Sequence, residues 1–230
     1  NDAKRVKMHL LKLLPYINTN NMTVVGGLAI RYHLSKFGLN YPRVFNDLDL
    51  VVKNISDISS KLTKDFLVYH YHPPQKKSFF VALIDPDSKI KIDVFKQDFD
   101  EVTITIKWEN YKIKITSIED QLVKTVYDIQ RISEDKKVDP KQFKDTELLK
   151  QIADIKKADF IRRKRNFKNY PNSLEEAVQR ANKIAIKHPE WVCKDPFKRP
   201  SPYKCQMCRN TNKFKIMAME KIYQILGYVE

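Results

Sequence analysis

The chain is organised around two stretches, VVGGLAIR at residues 24–31 and DLDLVV at residues 47–52. The second stretch alternates acidic and apolar residues, which is typical of a β-strand with two different faces. Side chains two positions apart point to the same face of a strand, so Asp47 and Asp49 lie side by side and Leu48 faces a core. Two carboxylates at that spacing repel each other unless a cation or a proton lies between them.

A third acidic residue, Asp93, lies within KIDVF at residues 91–95, which is another alternating segment. Mg²⁺ binds oxygen ligands from one or two carboxylates and from substrate phosphates. Two acids on one strand and a third on a neighbouring strand therefore predict a site for two Mg²⁺ ions, which stabilise the attacking and the leaving oxygen in phosphoryl transfer. An Asp-x-Asp motif also occurs by chance in surface strands and calcium loops, which is the alternative interpretation.

Two of the 4 Gly residues in the chain are adjacent, at Gly26 and Gly27. Residues 24–25 predict a short buried strand, the two glycines a turn, and residues 28–37 a helix. The first N–H groups of a helix have no partner within it, and the helix dipole is positive at that end. Such a turn binds anions, so the N–H groups of Gly26, Gly27 and Leu28 are predicted to bind a triphosphate.

The order of these elements resembles that of the nucleotidyltransferase superfamily: a strand, Gly-Gly, a helix, Asp-x-Asp on a strand, and a lone acid on a later strand. Within that superfamily, GGLAIR at residues 26–31 and NDLD at residues 46–49 are similar to the AbiEii-type and minimal nucleotidyltransferases of abortive-infection systems. The resemblance covers about residues 20–150. Many members of the superfamily have Ser after the first glycine, whereas this chain has Gly27.

The resemblance also implies roles for individual residues. Asp47 and Asp49 are expected to bind the catalytic metal ions, and Asp93 is expected to bind one ion and to help deprotonate the acceptor hydroxyl. Arg43 matches an Arg that often precedes the acidic pair, and Lys124 matches a Lys that contacts phosphate. For Arg43 and Lys124, a solvated surface cation is the alternative interpretation.

The charge of the chain predicts a polyanionic partner. The formal net charge is +15 over 230 residues, of which about +5 comes from residues 1–150 and about +10 from residues 151–230. Nucleic acid is the first candidate partner and a membrane surface the second. The cluster RRKR at residues 162–165 lies among aromatic residues, a composition that suits phosphates and unpaired bases. A solvated basic helix is the alternative interpretation of that cluster.

Composition and cysteine usage predict a cytoplasmic protein. No apolar run approaches the roughly 18–20 residues of a membrane-spanning helix. The N-terminal residues NDAKR lack the apolar region of a signal peptide. The chain has 3 Cys, an odd number that argues against a disulfide scaffold and for a reducing compartment.

The three cysteines lie close together near the C-terminus and suggest a metal site. His188, Cys193, Cys205 and Cys208 provide four ligands of the kind that tetrahedral Zn²⁺ binds. Such a zinc ion would be structural, because four protein ligands leave no open coordination position. The alternative is that these cysteines are free thiols, with Cys193 packed beside Trp191.

The predicted fold class is α+β, with a nucleotidyltransferase-type mixed β-sheet and flanking helices, followed by a mainly helical C-terminal region. We place the catalytic domain at residues 1–116 and the helical basic region at residues 117–230, with a zinc knuckle at residues 188–208. Residues 56–64 are expected to form a helix. A strand is expected to stop before the prolines at residues 73–74, because proline cannot donate a hydrogen bond to a sheet.

The predicted function is the metal-dependent transfer of a nucleoside monophosphate from a nucleoside triphosphate to an acceptor hydroxyl. The positive charge favours RNA as the acceptor, and the resemblance favours a tRNA 3′ end, a toxin-like role and an antitoxin partner. One alternative is the same fold acting on a protein or small-molecule hydroxyl. The other alternative is a non-catalytic nucleic-acid-binding protein that has kept the fold.

Overall fold

The computed structural model describes residues 2–41, 47–75, 78–97, 102–130 and 140–153, with the single positions 179, 183, 186, 187, 213, 214, 221 and 224. The strands are β1 (Met22–Val25), β2 (Asp47–Val52), β3 (Leu67–Gln75), β4 (Ser78–Ile84), β5 (Lys91–Lys96), β6 (Thr103–Trp108) and β7 (Tyr111–Thr116). The α-helices are α1 (Asp2–Leu13), α2 (Gly26–Lys36), α3 (Ile118–Gln130) and α4 (Pro140–Ile152).

The strands form one seven-stranded sheet in the order β3-β4-β5-β2-β1-β7-β6. In this sheet β2 runs parallel to β5 and antiparallel to β1, β1 runs parallel to β7, and β4 runs antiparallel to both β3 and β5. The predicted α+β class with a mixed sheet is therefore confirmed. The two strands that carry the acidic residues, β2 and β5, are neighbours in the middle of the sheet, which brings residues far apart in sequence next to each other.

Alternation along β2 and β5 separates their two faces. Leu48 and Leu50 on β2 and Ile92 and Val94 on β5 are buried in the core on one face. Because side chains alternate along a strand, the residues between them point to the opposite face. Burial of the apolar set fixes the register, since a slip by one residue would bring the acidic side chains into the core.

The described residues fall into two compact units. The first unit contains α1 and the strands as far as Ile115, and the second contains Ile30–Tyr41 with α3 and α4. The core of the second unit is built from apolar side chains of its helices: Ile30, Leu34, Leu122, Val123 and Leu149. The domain boundary between residues 116 and 117 stays a prediction. Within the described ranges, no helix combines the length and the apolar character needed to cross a membrane.

The prediction of a helix over residues 56–64 is wrong. Two short 3-10 helices, Ile55–Asp57 and Ser60–Lys64, take its place. They are separated by Ile58, which forms an isolated antiparallel bridge with Ile17. A tertiary backbone pairing therefore interrupts a segment whose local sequence is compatible with a helix.

The strand break expected at residues 73–74 is also wrong, since β3 continues through both prolines to Gln75. β3 is an edge strand, and its register with β4 shifts between His72 and Gln75. An edge strand tolerates proline because one side of it needs no hydrogen-bond donors. A smaller difference concerns α2, which begins at Gly26 rather than at Leu28.

Candidate active site

Three carboxylates lie on one face of two neighbouring parallel strands. The register of β2 and β5 pairs Asp49 with Asp93 and Asp47 with Lys91. Paired residues of adjacent strands point to the same face, with their backbones about 4.8 Å apart. The structure thus brings together the three acids that the sequence singles out, and it adds Lys91 to them. We call these four residues the acidic face.

The acidic face is shielded from solvent to different degrees. The Asp93 residue is only 8% exposed, whereas Asp47 and Asp49 are half-buried. A charged group removed from water loses free energy unless it is paired or binds a cation. Burial therefore makes the charged form of Asp93 depend on a neighbouring cation more than the charged form of an exposed acid would.

The carboxylate of Asp49 lies directly against Gly26. A Cβ atom placed on Gly26 would lie 2.2 Å from Asp49 Oδ2 and 3.0 Å from Asp49 Cβ, so no other residue fits there without displacing Asp49. The φ angle of Gly26 is +66°, in the region that side chains with a Cβ rarely adopt. The register of β1 and β2 pairs Val25 with Asp49, which explains why the next residue meets that carboxylate.

The glycine turn also begins a helix. Because α2 starts at Gly26, the residues Gly26, Gly27 and Leu28 form its first turn. Backbone N–H groups of a first turn point along the helix axis away from the helix, and the dipole there is positive. The β1–α2 turn thus combines an anion-attracting backbone with the adjacent carboxylate of Asp49, an arrangement suited to holding an anion together with a cation.

Lys91 belongs to this site, although the sequence-based prediction did not include it. Its Nζ lies 2.8 Å from Asp93 Oδ2, and its side chain is 27% exposed. Burial by itself would lower the pKa of Lys91, but the charge and hydrogen bond of Asp93, and then the charges of Asp49 and Asp47, outweigh burial and raise it. All three carboxylates therefore stabilise the charged form of Lys91. The signal was present in KID at residues 91–93, because positions two apart share a strand face.

The donor set of the acidic face fits a divalent cation, since Mg²⁺ prefers carboxylate oxygens. Nowhere in the described ranges do three or more His, Cys, Asp or Glu side chains already have the arrangement of a metal site. Mg²⁺ usually takes one or two carboxylates from the protein and its remaining ligands from water and phosphates. A divalent cation bound here would therefore take one or two of these carboxylates and its other ligands from water and substrate, rather than a complete protein cage.

The other predicted site residues lie elsewhere or outside the described part of the chain. Lys124 is half-buried on α3, within the second unit. Residue Arg43 lies outside the described residues. So do all four predicted zinc ligands, which are His188, Cys193, Cys205 and Cys208.

Three solved structures are similar to this chain. The Megavirus polyadenylate synthase is 18% identical at a TM-score of 0.42, and the match covers 64% of this chain and 31% of that one. An antigenic nucleotidyltransferase-like protein from Paracoccidioides brasiliensis is 17% identical at a TM-score of 0.40, covering 80% of this chain and 86% of that one. JHP933 from Helicobacter pylori is 15% identical at a TM-score of 0.38, covering 79% and 90%.

A scan against protein-family models finds no match, and no curated protein matches the chain. The chain spans only 31% of the Megavirus polyadenylate synthase. Because the three TM-scores are below 0.5, these similarities carry no conclusion about activity or substrate. The narrower resemblance to AbiEii-type proteins stays a prediction.

Proposed function

We propose that the chain is a metal-dependent nucleotidyltransferase that moves a nucleoside monophosphate from a nucleoside triphosphate to an acceptor hydroxyl. The observation that supports this most is the pairing of Asp49 with Asp93 beside the Gly26 turn. Phosphoryl transfer needs negative side chains for a cation and backbone donors for phosphates, both close to the reacting phosphorus. The acidic face and the first turn of α2 supply these two kinds of group side by side.

In this proposal each residue has a defined task. Asp47, Asp49 and Asp93 would hold two Mg²⁺ ions, which would neutralise charge on the phosphates. Asp93 also accepts the proton of the acceptor hydroxyl. The hydroxyl oxygen then forms a bond to the α-phosphorus, the bond from that phosphorus to the bridging oxygen breaks, and pyrophosphate leaves with the electron pair. The N–H groups of Gly26, Gly27 and Leu28 hold the triphosphate against the helix dipole.

The finer assignments are proposals of the same kind. The net charge of +15 supports a polyanionic acceptor, for which we propose RNA. A tRNA 3′ end, a toxin-like role and an antitoxin partner are supported by the sequence resemblance alone. Contacts of Arg43 and Lys124 with phosphate have the same support. The zinc knuckle at residues 188–208 is supported by ligand chemistry.

The test compares wild type with the double variant Asp47→Ala/Asp49→Ala. Each protein is incubated with α-labelled nucleoside triphosphates, Mg²⁺ and total RNA, and the label in RNA, protein and small molecules is measured. Wild type should label an acceptor and the double variant should not, since it lacks two of the three carboxylates. Equal labelling by both would contradict the proposal.

A matched control is Asp87→Ala, because Asp87 is a carboxylate outside the acidic face whose side chain is 84% exposed. This variant should label the acceptor as wild type does. The dependence of RNA binding on salt then separates the acceptors. Binding through many phosphate contacts falls steeply as salt rises, whereas action on a protein or small-molecule hydroxyl predicts label in those fractions and little salt dependence.

A further inference from the structure

The acidic face contains one cation of its own. Lys91 Nζ lies 2.8 Å from Asp93 Oδ2, and Lys91 is paired across the strands with Asp47. Asp49 is paired with Asp93 in the same register. The ammonium of Lys91 thus shares one face of β2 and β5 with three carboxylates.

The contact between Lys91 and Asp93 places the ammonium on the carboxylate that is most buried of the three. A buried carboxylate is held in one orientation best by a short charged hydrogen bond. The proposed function requires a divalent cation at that same carboxylate. Both cations have like charge, so they cannot share one carboxylate oxygen without strong repulsion.

We propose that Lys91 is the resident counter-cation of the acidic face, which holds Asp93 beside Asp49 when no divalent cation is bound and competes with that cation for Asp93. Lys91 is thus a positioning residue, since it acts through Asp93. The role of the bound cation in catalysis rests on the proposed function, but the competition itself does not. The opposite possibility is a purely structural ion pair, which would hold Asp93 without affecting cation binding.

The test measures cation binding in the absence of nucleotide and acceptor. Full-length chain, stripped of metal with a chelator, is titrated with Mn²⁺ alone, and free Mn²⁺ is followed by electron paramagnetic resonance. Lys91→Met removes the competing charge, so it should bind Mn²⁺ at least about fivefold more tightly than wild type, the size expected for one charge at contact distance even in water. Lys91→Arg keeps the charge and should bind Mn²⁺ as wild type does.

Lys114→Met is the matched control. Lys114 belongs to β7 of the same sheet, and its ammonium donates to the backbone carbonyl of Asn20 at 2.6 Å rather than to a carboxylate. The variant loses the same charge and should leave Mn²⁺ affinity within about twofold of wild type. Lys91→Gln is a second variant for the main test, because it removes the charge but keeps a hydrogen-bond donor for Asp93. It should bind Mn²⁺ more tightly, as Lys91→Met does.

The outcomes separate this inference from the proposed function. If Lys91→Met and Lys91→Gln bind Mn²⁺ more tightly but Lys114→Met does not, the result supports competition between Lys91 and the divalent cation for Asp93. This holds even if no nucleotide transfer is found. If Lys91→Met and Lys91→Gln bind Mn²⁺ with the same affinity as wild type, or more weakly, the competition is overturned. That result would leave nucleotide transfer by the wild-type chain untouched.

Discussion

Two clusters around buried acids differ in how their charge is balanced. The Asp85 residue, which is 1% exposed, lies 2.7 Å from His9 Nδ1 and 2.9 Å from Lys12 Nζ. It also accepts hydrogen bonds from Ser88 Oγ at 3.0 Å and from the backbone N–H of Asp87 at 3.1 Å. A single carboxylate there is surrounded by donors, and it ties α1 to the turn between β4 and β5.

The acidic face instead groups several carboxylates. Asp47, Asp49 and Asp93 share one face of β2 and β5 with the ammonium of Lys91. Burial of an acid thus does not by itself indicate function. A single carboxylate with several donors stabilises the fold, whereas carboxylates grouped on one face are suited to binding a cation.

Among variants that keep every charge, the largest expected effect comes from Gly26→Ala, which disturbs the acidic face through its backbone. The added Cβ would lie 2.2 Å from Asp49 Oδ2, so that carboxylate must move. A misplacement of about 1 Å at a reacting centre can cost about a hundredfold in rate. We therefore expect nucleotide transfer to fall by about that factor, as measured with α-labelled triphosphate at equal concentrations of folded protein.

Gly38→Ala is the control for that experiment. Gly38 has a φ angle of +72°, close to that of Gly26, but a Cβ there would meet no atom within 4 Å. Both substitutions carry the backbone strain of a left-handed residue, which costs about 1–2 kcal/mol. Gly38→Ala should therefore lose stability but keep its transfer rate. Equal loss of rate in both variants would mean that backbone strain, not the displacement of Asp49, is responsible.

A smaller effect, on stability alone, is expected for Asp85→Asn. This change removes the charge that pairs with Lys12 and should lower the free energy of unfolding by about 2–3 kcal/mol. Asp87→Asn is the matched control, since Asp87 Oδ2 lies at the same 2.9 Å from Lys12 Nζ but its side chain is 84% exposed. An exposed pair contributes about 0–1 kcal/mol. Urea unfolding of both variants measures the difference, and equal losses would contradict the dependence on burial.

The smallest effect is a dependence of stability on pH. Burial alone would raise the pKa of Asp85, but hydrogen bonds from Lys12, the Asp87 N–H and Ser88 outweigh burial and lower it. A carboxyl whose pKa is lowered by folding stabilises the folded state above its unfolded pKa of about 3.9. That contribution is lost as the pH falls through the folded pKa.

The stability gap between wild type and Asp85→Asn should therefore be constant near pH 6 and should narrow below about pH 4. Urea midpoints of the two proteins, measured across this range, give the gap directly. A gap that stays the same down to pH 3 or widens there would show that the ionised form of Asp85 is not the stabilising one.

The sequence was sufficient for features that depend on local periodicity. Alternation in DLDLVV and KIDVF predicted two strands with acidic faces, and adjacent glycines predicted the turn into α2. Each of these signals lies within a few residues, so no knowledge of the fold is needed to interpret it. The position of Asp93 beside Asp49 was only a hypothesis from the sequence, because it requires β2 and β5 to be neighbouring strands.

Features that depend on distant residues could not be predicted. The spacing in KID places Lys91 on the face of Asp93, but its position opposite Asp47 depends on the parallel register of β2 and β5. The prediction of a helix over residues 56–64 was wrong because Ile58 pairs with Ile17, which is far away in sequence. The strand through residues 73–74 depends on β3 lying at the edge of the sheet, which local sequence does not specify.

The most direct test of the central claim compares Asp93→Asn with Asp85→Asn in one transfer assay. Both substitutions neutralise a buried acid with little change in shape, one in each cluster. With rates expressed per folded molecule, we predict that Asp93→Asn loses at least about a hundredfold in transfer and that Asp85→Asn transfers as wild type does. Equal rates for the two variants would contradict the claim that the acidic face is where nucleotide transfer takes place.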